Sequence, residues 1–590
     1  MEMKLKRLPL GATELQQGVL KERAALNRKY VMSLSNENLL QNFYLEAGLW
    51  GPALQPEHIH WGWESPTCQL RGHFLGHWLS AAAQLYAATG DMEAKAKADK
   101  IVSELARCQQ VNGGEWAGSI PEKYLHLLAE GYRIWAPQYT LHKTLMGLWD
   151  MYAFTGSQEA FEVLLSFADW FHRWTGQFSA AEMARILDME TGGMLEIWAD
   201  LYAVTGDQKH LDLLNRYYRP SLFDKLLKGE DPLTNQHANT TIPEVLGAAR
   251  AWEVTGQQKW RDIVDAYWKQ AVTLRGSYCT GGQTMGEIWA PPHQQAARLG
   301  EKNQEHCTVY NMMRLAEKLL QWTGDAAYAD YWERNLYNGV LAQQHPKTGQ
   351  ISYFLPLHAG AQKKWGSETE DFWCCHGSLV QAHAAHGASA YYETADGLAV
   401  CQYIPTKAKF TRGGIAVEVS QGFNPQVECV SRPSSWVVDL AVKAGAPVEF
   451  ALDIRIPWWA QPGTTVIVNG QPVEQPCVPG AFLRLRRSWQ NDTVRIELVK
   501  KLTAWPLPDE PDTVAFLDGP VVLAGLCEDE RVLVGDPDHP ETMLRPDSER
   551  EWVMWREGYR TCGIDHGFRL TPIYLITDER YQVYFPVRKQ

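Results

Sequence analysis

Tyr86-Ala87-Ala88-Thr89-Gly90-Asp91 closes a helical stripe in which Phe74, Trp78, Ala82 and Leu85 recur at i, i+4, i+8 and i+11. Glycine accepts the left-handed conformation in which helices commonly end, so Gly90 reads as a stop. The stop returns as Tyr152-Ala-Phe-Thr-Gly156, Tyr202-Ala-Val-Thr-Gly206-Asp207, Trp252-Glu-Val-Thr-Gly256 and Leu320-Gln-Trp-Thr-Gly324-Asp325. Tyr391-Tyr-Glu-Thr394-Ala-Asp-Gly397 reads as a decayed sixth copy. Successive copies lie roughly 50 to 70 residues apart, room for one helical hairpin plus loops. Six hairpins make either an open solenoid or a closed ring. Closure into an (α/α)6 toroid would surround a central funnel, a natural small-ligand cleft.

The helical pattern runs from about residue 13 to 397, and the texture then changes. Gly414–Val419, Trp436–Val442, Val448–Ile454, Thr465–Val468 and Thr493–Leu498 read as strands, and Asn469-Gly470 is a hairpin signal. Short strands with turn signals suggest a β-sandwich. Pro506–Asp512 reads as a Pro-rich, partly acidic link, and Tyr574–Thr577 and Tyr581–Phe585 as further strands. At the other end, residues 4–10 read as a short edge strand limited by Pro9. The expected division is 1–12 as a strand joining the β region, 13–397 helical, 398–508 a β-sandwich, and 509–590 β-rich. Whether that last part is a second sandwich or completes the first stays open.

The chain has 590 residues, 45% of them hydrophobic and 21% charged, the profile of a folded globular protein. Lys plus Arg is 56 against 69 Asp plus Glu, a net charge of −13 with no basic block, which argues against nucleic acid as partner. Eleven cysteines are too sparse for a disulfide framework. Lys4, Lys6 and Arg7 are followed by no apolar segment, and no 18-residue apolar run occurs, so the expectation is a cytoplasmic protein without a membrane partner. The 25 Trp and 24 Tyr supply rings on which sugars stack, although most are expected in the core.

Cysteines and acids concentrate between Gly281 and Gly377. Glu305-His-Cys307 and Trp373-Cys374-Cys375 offer one carboxylate and three thiols, enough to close a tetrahedron, and sulfur-rich tetrahedral sets select zinc. The competing reading of adjacent cysteines is two small buried apolar residues at a turn. His73 and His77 sit four apart on a helix without the Glu of a zincin and read as the polar wall of a cleft or as core histidines. Glu287, in Gly281-Gly-Gln-Thr-Met-Gly-Glu287, follows glycines that let backbone approach a ligand. Taken alone it reads as a helix-start carboxylate, Glu333 as an exposed helix acid, and His142 and His237 as structural histidines.

Together these segments resemble glycoside hydrolase family 127 and its sibling family 146, β-L-arabinofuranosidases, over nearly the whole chain. The resemblance rests on Gly72-His-Phe-Leu-Gly-His77, Tyr139-Thr-Leu-His-Lys143, His237-Ala-Asn-Thr240, Thr280-Gly-Gly-x-x-x-Gly-Glu287 and Glu305-x-Cys307-x-x-Tyr-Asn311. It continues through Glu333-Arg-x-Leu-Tyr-Asn338, Tyr353-Phe-x-Pro-Leu357, Phe372-Trp-Cys-Cys375, Arg455-Ile-Pro-x-Trp-Ala460 and Asp578-x-Arg-Tyr-x-Val-Tyr584. It implies a multidomain α+β fold, an (α/α)6 toroid catalytic domain followed by a C-terminal β-sandwich region. It implies a zinc ion held by Glu305, Cys307, Cys374 and Cys375, with Cys374 as nucleophile and Glu287 as general acid/base. Tyr353, Glu333, His142 and His237 match positions lining the sugar site, and His73 and Glu196 are counted with them as sugar-binding candidates. Two departures stand out. His306 occupies a position that is usually Thr or Ser in family 127, and Gly192-Gly-Met-Leu-Glu196 resembles family 146.

The implied activity is retaining, zinc-dependent exo-hydrolysis of a non-reducing-end L-arabinofuranose or a related pectic sugar through a cysteine thioglycosyl intermediate. A carbohydrate-binding protein with a structural zinc, and a lyase or epimerase on the same toroid, are the alternatives. The expected partner is a small carbohydrate, and a homodimer is left open.

Overall fold

The computed structural model describes residues 3–51, 59–424, 435–547, 550–551, 554–555 and 558–589. Five of the Thr-Gly stops end helices, and Gly90, Gly156, Gly206, Gly256 and Gly324 all take left-handed φ between 65° and 74°. In each stop the Thr hydroxyl donates to the carbonyl four residues back, as Thr89 does to Leu85 (2.7 Å) and Thr323 to Leu319 (2.7 Å). The Asp after the Gly then caps the next helix: Asp91 accepts from Glu93 N, Asp207 from Lys209 N and Asp325 from Ala327 N. One short motif thus ends one helix and starts its partner.

The long helices are α1 (Val19–Ser33), α2 (His73–Thr89), α3 (Met92–Val111), α4 (Pro137–Thr155), α5 (Gln158–Thr175) and α6 (Met194–Thr205). They continue as α7 (Gln208–Arg216), α8 (Ala238–Thr255), α9 (Gln258–Trp268), α10 (His306–Thr323), α11 (Ala326–Asn335) and α12 (Cys374–Ala382). The even-numbered helices pack in succession, α2 on α4, α4 on α6, α6 on α8, α8 on α10 and α10 on α12, and α12 returns to α2. Each odd-numbered helix from α3 to α11 packs on the even-numbered helix before it and buries a smaller share of its residues, so the even-numbered helices are the inner set. At the α2–α4 crossing a Cβ on Gly76 would lie 1.9 Å from the Lys143 carbonyl oxygen, so only glycine permits this approach. Trp78, Trp174, Trp198 and Trp260 are fully buried, so much of the aromatic content is core.

The sixth Tyr-x-x-Thr copy is not a helix end. Tyr391–Thr394 and Gly397–Val400 form an antiparallel hairpin, as their Tyr- and Val-bearing sequence favours once no apolar helical stripe precedes it. These strands belong to a ten-stranded sheet that also takes in β1 (Lys6–Arg7), paired with Tyr392 and Glu393, and β2 (Thr13–Leu15), paired with Thr406–Ala408. The two runs 436–442 and 448–454 are one strand, Ser435–Ile456. Asn469 and Gly470 both take positive φ, as a two-residue hairpin turn between Thr465–Val468 and Gln471–Pro472 requires.

The segment 506–512, expected as a link, is instead the turn of an antiparallel hairpin between Leu502–Leu507 and Glu510–Asp518. It opens a second, nine-stranded sheet that runs to Arg588. The strand expected at Tyr574–Thr577 is not formed; Ile573–Leu575 make a short 3-10 helix next to Pro572. The first sheet is locked to the helices by Arg455. This fully buried guanidinium donates to Asp330 and to Glu333 Oε1 (2.6 Å), and the Trp459 indole donates to Glu333 Oε2 (2.8 Å). Among the described residues no helix is long and apolar enough to cross a membrane.

Candidate active site and metal centre

The first turns of the inner helices converge at one end of the bundle. Glu305 is the N-cap of α10 and Cys307 lies in its first turn, while Cys374 and Cys375 open α12. Their four ligand atoms lie within 4.8 Å of one another and all four residues are buried. Cys307 Sγ is 3.5 Å from Cys375 Sγ, Cys374 Sγ is 3.9 Å from Cys375 Sγ, and Cys374 Sγ is 3.7 Å from Glu305 Oε1. A tetrahedral zinc with sulfurs at about 2.3 Å holds its ligands about 3.8 Å apart, so the spacing fits that ion.

The charges fit as well. Burial pushes the Cys307 thiol up, but hydrogen bonds from Cys374 and Cys375 outweigh it and bring it down to about 6. Donating to Cys307 raises Cys374, burial raises Cys375, and burial together with the neighbouring Cys374 carries Glu305 well above the carboxylate range. Four buried acids this close ionise together only around a cation. The outer oxygen of Glu305 is held by the Thr308 hydroxyl (3.0 Å). His306 is fully buried and turned to Ser378 Oγ (2.8 Å), whose hydroxyl is also 3.2 Å from Cys307 Sγ, so the imidazole stands behind the cluster.

Glu287 is not at a helix start. It is the second turn residue of a hairpin between β3 (Thr284–Met285) and β4 (Ile288–Trp289), with Gly286 at φ 59° and Glu287 at φ 67°. A turn with two positive φ values suits the twist of paired strands, and Gly286 supplies the first at no cost. The Glu287 carbonyl accepts from Ala238 N (2.8 Å), which ties the hairpin to the start of α8. Its carboxylate accepts a short hydrogen bond from the Tyr353 hydroxyl and lies 3.5 Å from His237 Nε2. Against burial, these two donors bring the carboxyl below its ordinary range. The same Tyr353 hydroxyl is 3.4 Å from Cys374 Sγ, so one oxygen touches both the acid and the thiol.

Backbone strain gathers here. Among the described residues eight non-glycine residues have positive φ, and Ala136, Asn235, Glu287, Gln304 and Phe372 each lie at or just before a segment of this site. Such residues persist where the surroundings hold them, typically at functional sites.

Of the expected sugar-binding residues, Tyr353 and His237 flank Glu287. His73 is buried, bonded through Nδ1 to the Leu70 carbonyl and close to Glu64, with its ring 5.9 Å from that of Tyr139. His142 is buried with both ring nitrogens unpartnered, in space left by Gly193. Two others have their carboxylates engaged by arginine. Glu333 is not an exposed acid: it is buried, and Arg455 and Trp459 hold its two carboxylate oxygens. Glu196, in the first turn of α6, pairs with Arg314 (2.7 Å) and lines a cavity of about 430 Å³ among the inner helices.

Sequence reasoning passed over Trp63, Trp135 and Tyr139. Trp63 lies 6.3 Å from the Tyr353 ring and 5.0 Å from that of Trp135, and Tyr139 is near His77 Nε2 (3.5 Å). Gly62 and Gly131, close in sequence to the two tryptophans, were the available signal of irregular backbone.

Comparison with known proteins points to one family. Residues 12–388 match the family model described as Beta-L-arabinofuranosidase, GH127 catalytic domain, and residues 397–500 match the GH127 middle domain. The non-reducing end beta-L-arabinofuranosidase of Bifidobacterium longum subsp. longum is 26% identical over 459 residues, 67% of this chain and 65% of that protein, so less than two thirds of the relative is spanned. A solved GH127 β-arabinofuranosidase has a TM-score of 0.78 at 18% identity, covering 99% of this chain and 98% of that one. A GH127 beta-L-arabinofuranosidase from Geobacillus stearothermophilus T6 has a TM-score of 0.71 at 19% identity, covering 98% of this chain and 100% of that one. At these identities the two structures speak for the fold. With a catalytic-domain match over more than half its length, the chain belongs to glycoside hydrolase family 127, the β-L-arabinofuranosidase family.

Proposed function

We propose that this protein is a retaining exo-glycosidase that removes a non-reducing-end β-L-arabinofuranose or a related pectic sugar. The observation that carries the reading is the Tyr353 hydroxyl in contact with both the Glu287 carboxylate and the Cys374 thiol. Acid and thiol thus lie within two hydrogen-bond lengths, and retaining glycosidases need about 5–5.5 Å between acid and nucleophile. The finer architecture belongs to this reading: an (α/α)6 toroid built from the helices between Val19 and Ala382, a β-sandwich around the first sheet, and a β-rich C-terminal part around the second, which opens at Leu502. The closed succession of inner helices and the two large sheets support it.

Glu305, Cys307, Cys374 and Cys375 would hold the metal. Bound zinc keeps its coordinated thiols deprotonated near neutral pH. Glu287 protonates the departing glycosidic oxygen as Cys374 Sγ bonds to the anomeric carbon and the old C–O bond breaks. Glu287, now a carboxylate, takes a proton from water, whose oxygen displaces the sulfur. Two inversions give net retention. Tyr353 and His237 position the carboxylate, and a sugar that displaces them raises its proton affinity. His73 and His142 are proposed on the sugar side. The same reading sets the enzyme in a reducing cytoplasm, acting on short oligosaccharides, and fractionation of the native host tests that placement.

The test is release of L-arabinose from a nitrophenyl β-L-arabinofuranoside, with the first-formed anomer read by NMR. A haloacetyl or cyclitol-type trap should label Cys374. An α-configured first product, or label on Glu287 or Glu305, would sink the thiol mechanism. An unsaturated or isomerised product would favour a lyase or epimerase, and binding without turnover a carbohydrate-binding protein.

A further inference from the structure

A row of aromatic rings leads away from the acid and the thiol. Tyr353, whose hydroxyl touches both, has its ring 6.3 Å from Trp63, and Trp63 meets Trp135 edge-on at 5.0 Å and 74°. Burial falls along the row, from half-buried Tyr353 and Trp63 to Trp135, which is 48% exposed. An isolated exposed tryptophan needs no explanation. This one continues a wall that starts at the reacting groups, and its backbone is held. Trp135 N donates to Gln69 Oε1 (2.8 Å), Ala136 follows at φ 47°, and Pro137 then begins α4. Ala136 is one of the strained residues gathered at this site, and its conformation sets where the Trp135 side chain leaves the chain.

We propose that Trp63 and Trp135 form a platform for the ring that the departing oxygen belongs to, making Trp135 a specificity-determining residue for glycosides whose leaving group is itself a sugar. The inference rests on the glycosidase reading above. The ring being cleaved must lie between Cys374 Sγ and Glu287, at Tyr353. Two ring contacts further out, the row meets the next unit of an oligosaccharide. An edge-on contact with Trp63 leaves a face of Trp135 to solvent, and the flat C–H face of a sugar covers such a face while its hydroxyls stay in water. A leaving group without a ring, such as methoxide, gains nothing there.

The experiment compares kcat/KM on a β-L-arabinofuranosyl disaccharide and on methyl β-L-arabinofuranoside, with melting temperature as the control for folding. In Trp135→Ala the ratio of disaccharide to methyl glycoside should fall roughly tenfold, and Trp135→Phe should restore most of it. In an otherwise inactive Glu287→Gln background, calorimetry should show Trp135→Ala weakening disaccharide binding by a similar factor. If wild type cleaves both glycosides and the ratio is unchanged in Trp135→Ala, the platform is overturned while the glycosidase stands. If wild type cleaves neither, the glycosidase reading falls and the platform with it.

Discussion

Glu287 sits at the tip of a hairpin in a conformation that side chains avoid, and its carboxylate collects hydrogen bonds from Tyr353 and His237. Those donors favour the charged form, so in the free protein the carboxyl lies below its ordinary range. As the proposed general acid it must carry a proton, and rising pH removes that proton. We therefore expect kcat/KM, which reports the free protein, to fall at a lower pH than kcat, which reports the complex in which sugar has displaced the donors. Superimposable alkaline limbs would contradict this. On the proposed zinc site and thiol mechanism, Cys374→Ser should abolish turnover yet keep much of the zinc, whereas Cys307→Ser should lose most of the metal, read by mass spectrometry of protein purified without added metal. The cluster of Glu305, Cys307, Cys374 and Cys375 was legible because three thiols beside an acid are rare in a chain with eleven cysteines. Glu333 misled because its partner Arg455 stands 122 positions away, and no local pattern carries such a pairing. Trp63 and Trp135 were hidden among 25 tryptophans, many of them buried in the core.

Helices were the most legible elements, since Thr, Gly and Asp in one motif specify a back-bonded last turn, a left-handed stop and the next cap. The decayed copy at 391–397 misled because Thr with a following Gly also suits a strand hairpin. Nor could periodicity tell a ring from an open stack. That is decided by α12 packing back on α2, and by close crossings such as Gly76 on α4. Gly76→Ala should therefore cost about 3 kcal/mol, because the new methyl meets backbone rather than a side chain that can move aside. Chemical denaturation would measure it, and a loss under about 0.5 kcal/mol, the size of an ordinary surface change, would mean that the crossing is looser than described.

At the scale of the molecule, one guanidinium joins the helices to the first sheet. Arg455→Met should destabilise by about 3–5 kcal/mol, since Asp330 and Glu333 would stay buried without their cation. Adding Glu333→Gln should recover part of that loss, and a double variant no better than the single would show that packing, not charge, holds this junction. The order in which the parts become available is a separate matter. Lys6 pairs with Glu393 and Thr13 with Ala408, and Arg7 reaches Glu317 (2.6 Å), so the opening strands wait for partners roughly 390 residues downstream. At ribosomal rates of about 5–20 residues per second that wait lasts about 20 to 80 seconds. During it the inner helices can pair in the sequence in which they emerge, but of the ten-stranded sheet only β1 and β2 have been made. Residues 6–15 are therefore made long before they are locked, and a nascent chain stalled before residue 391 would present them unpaired to chaperones and proteases.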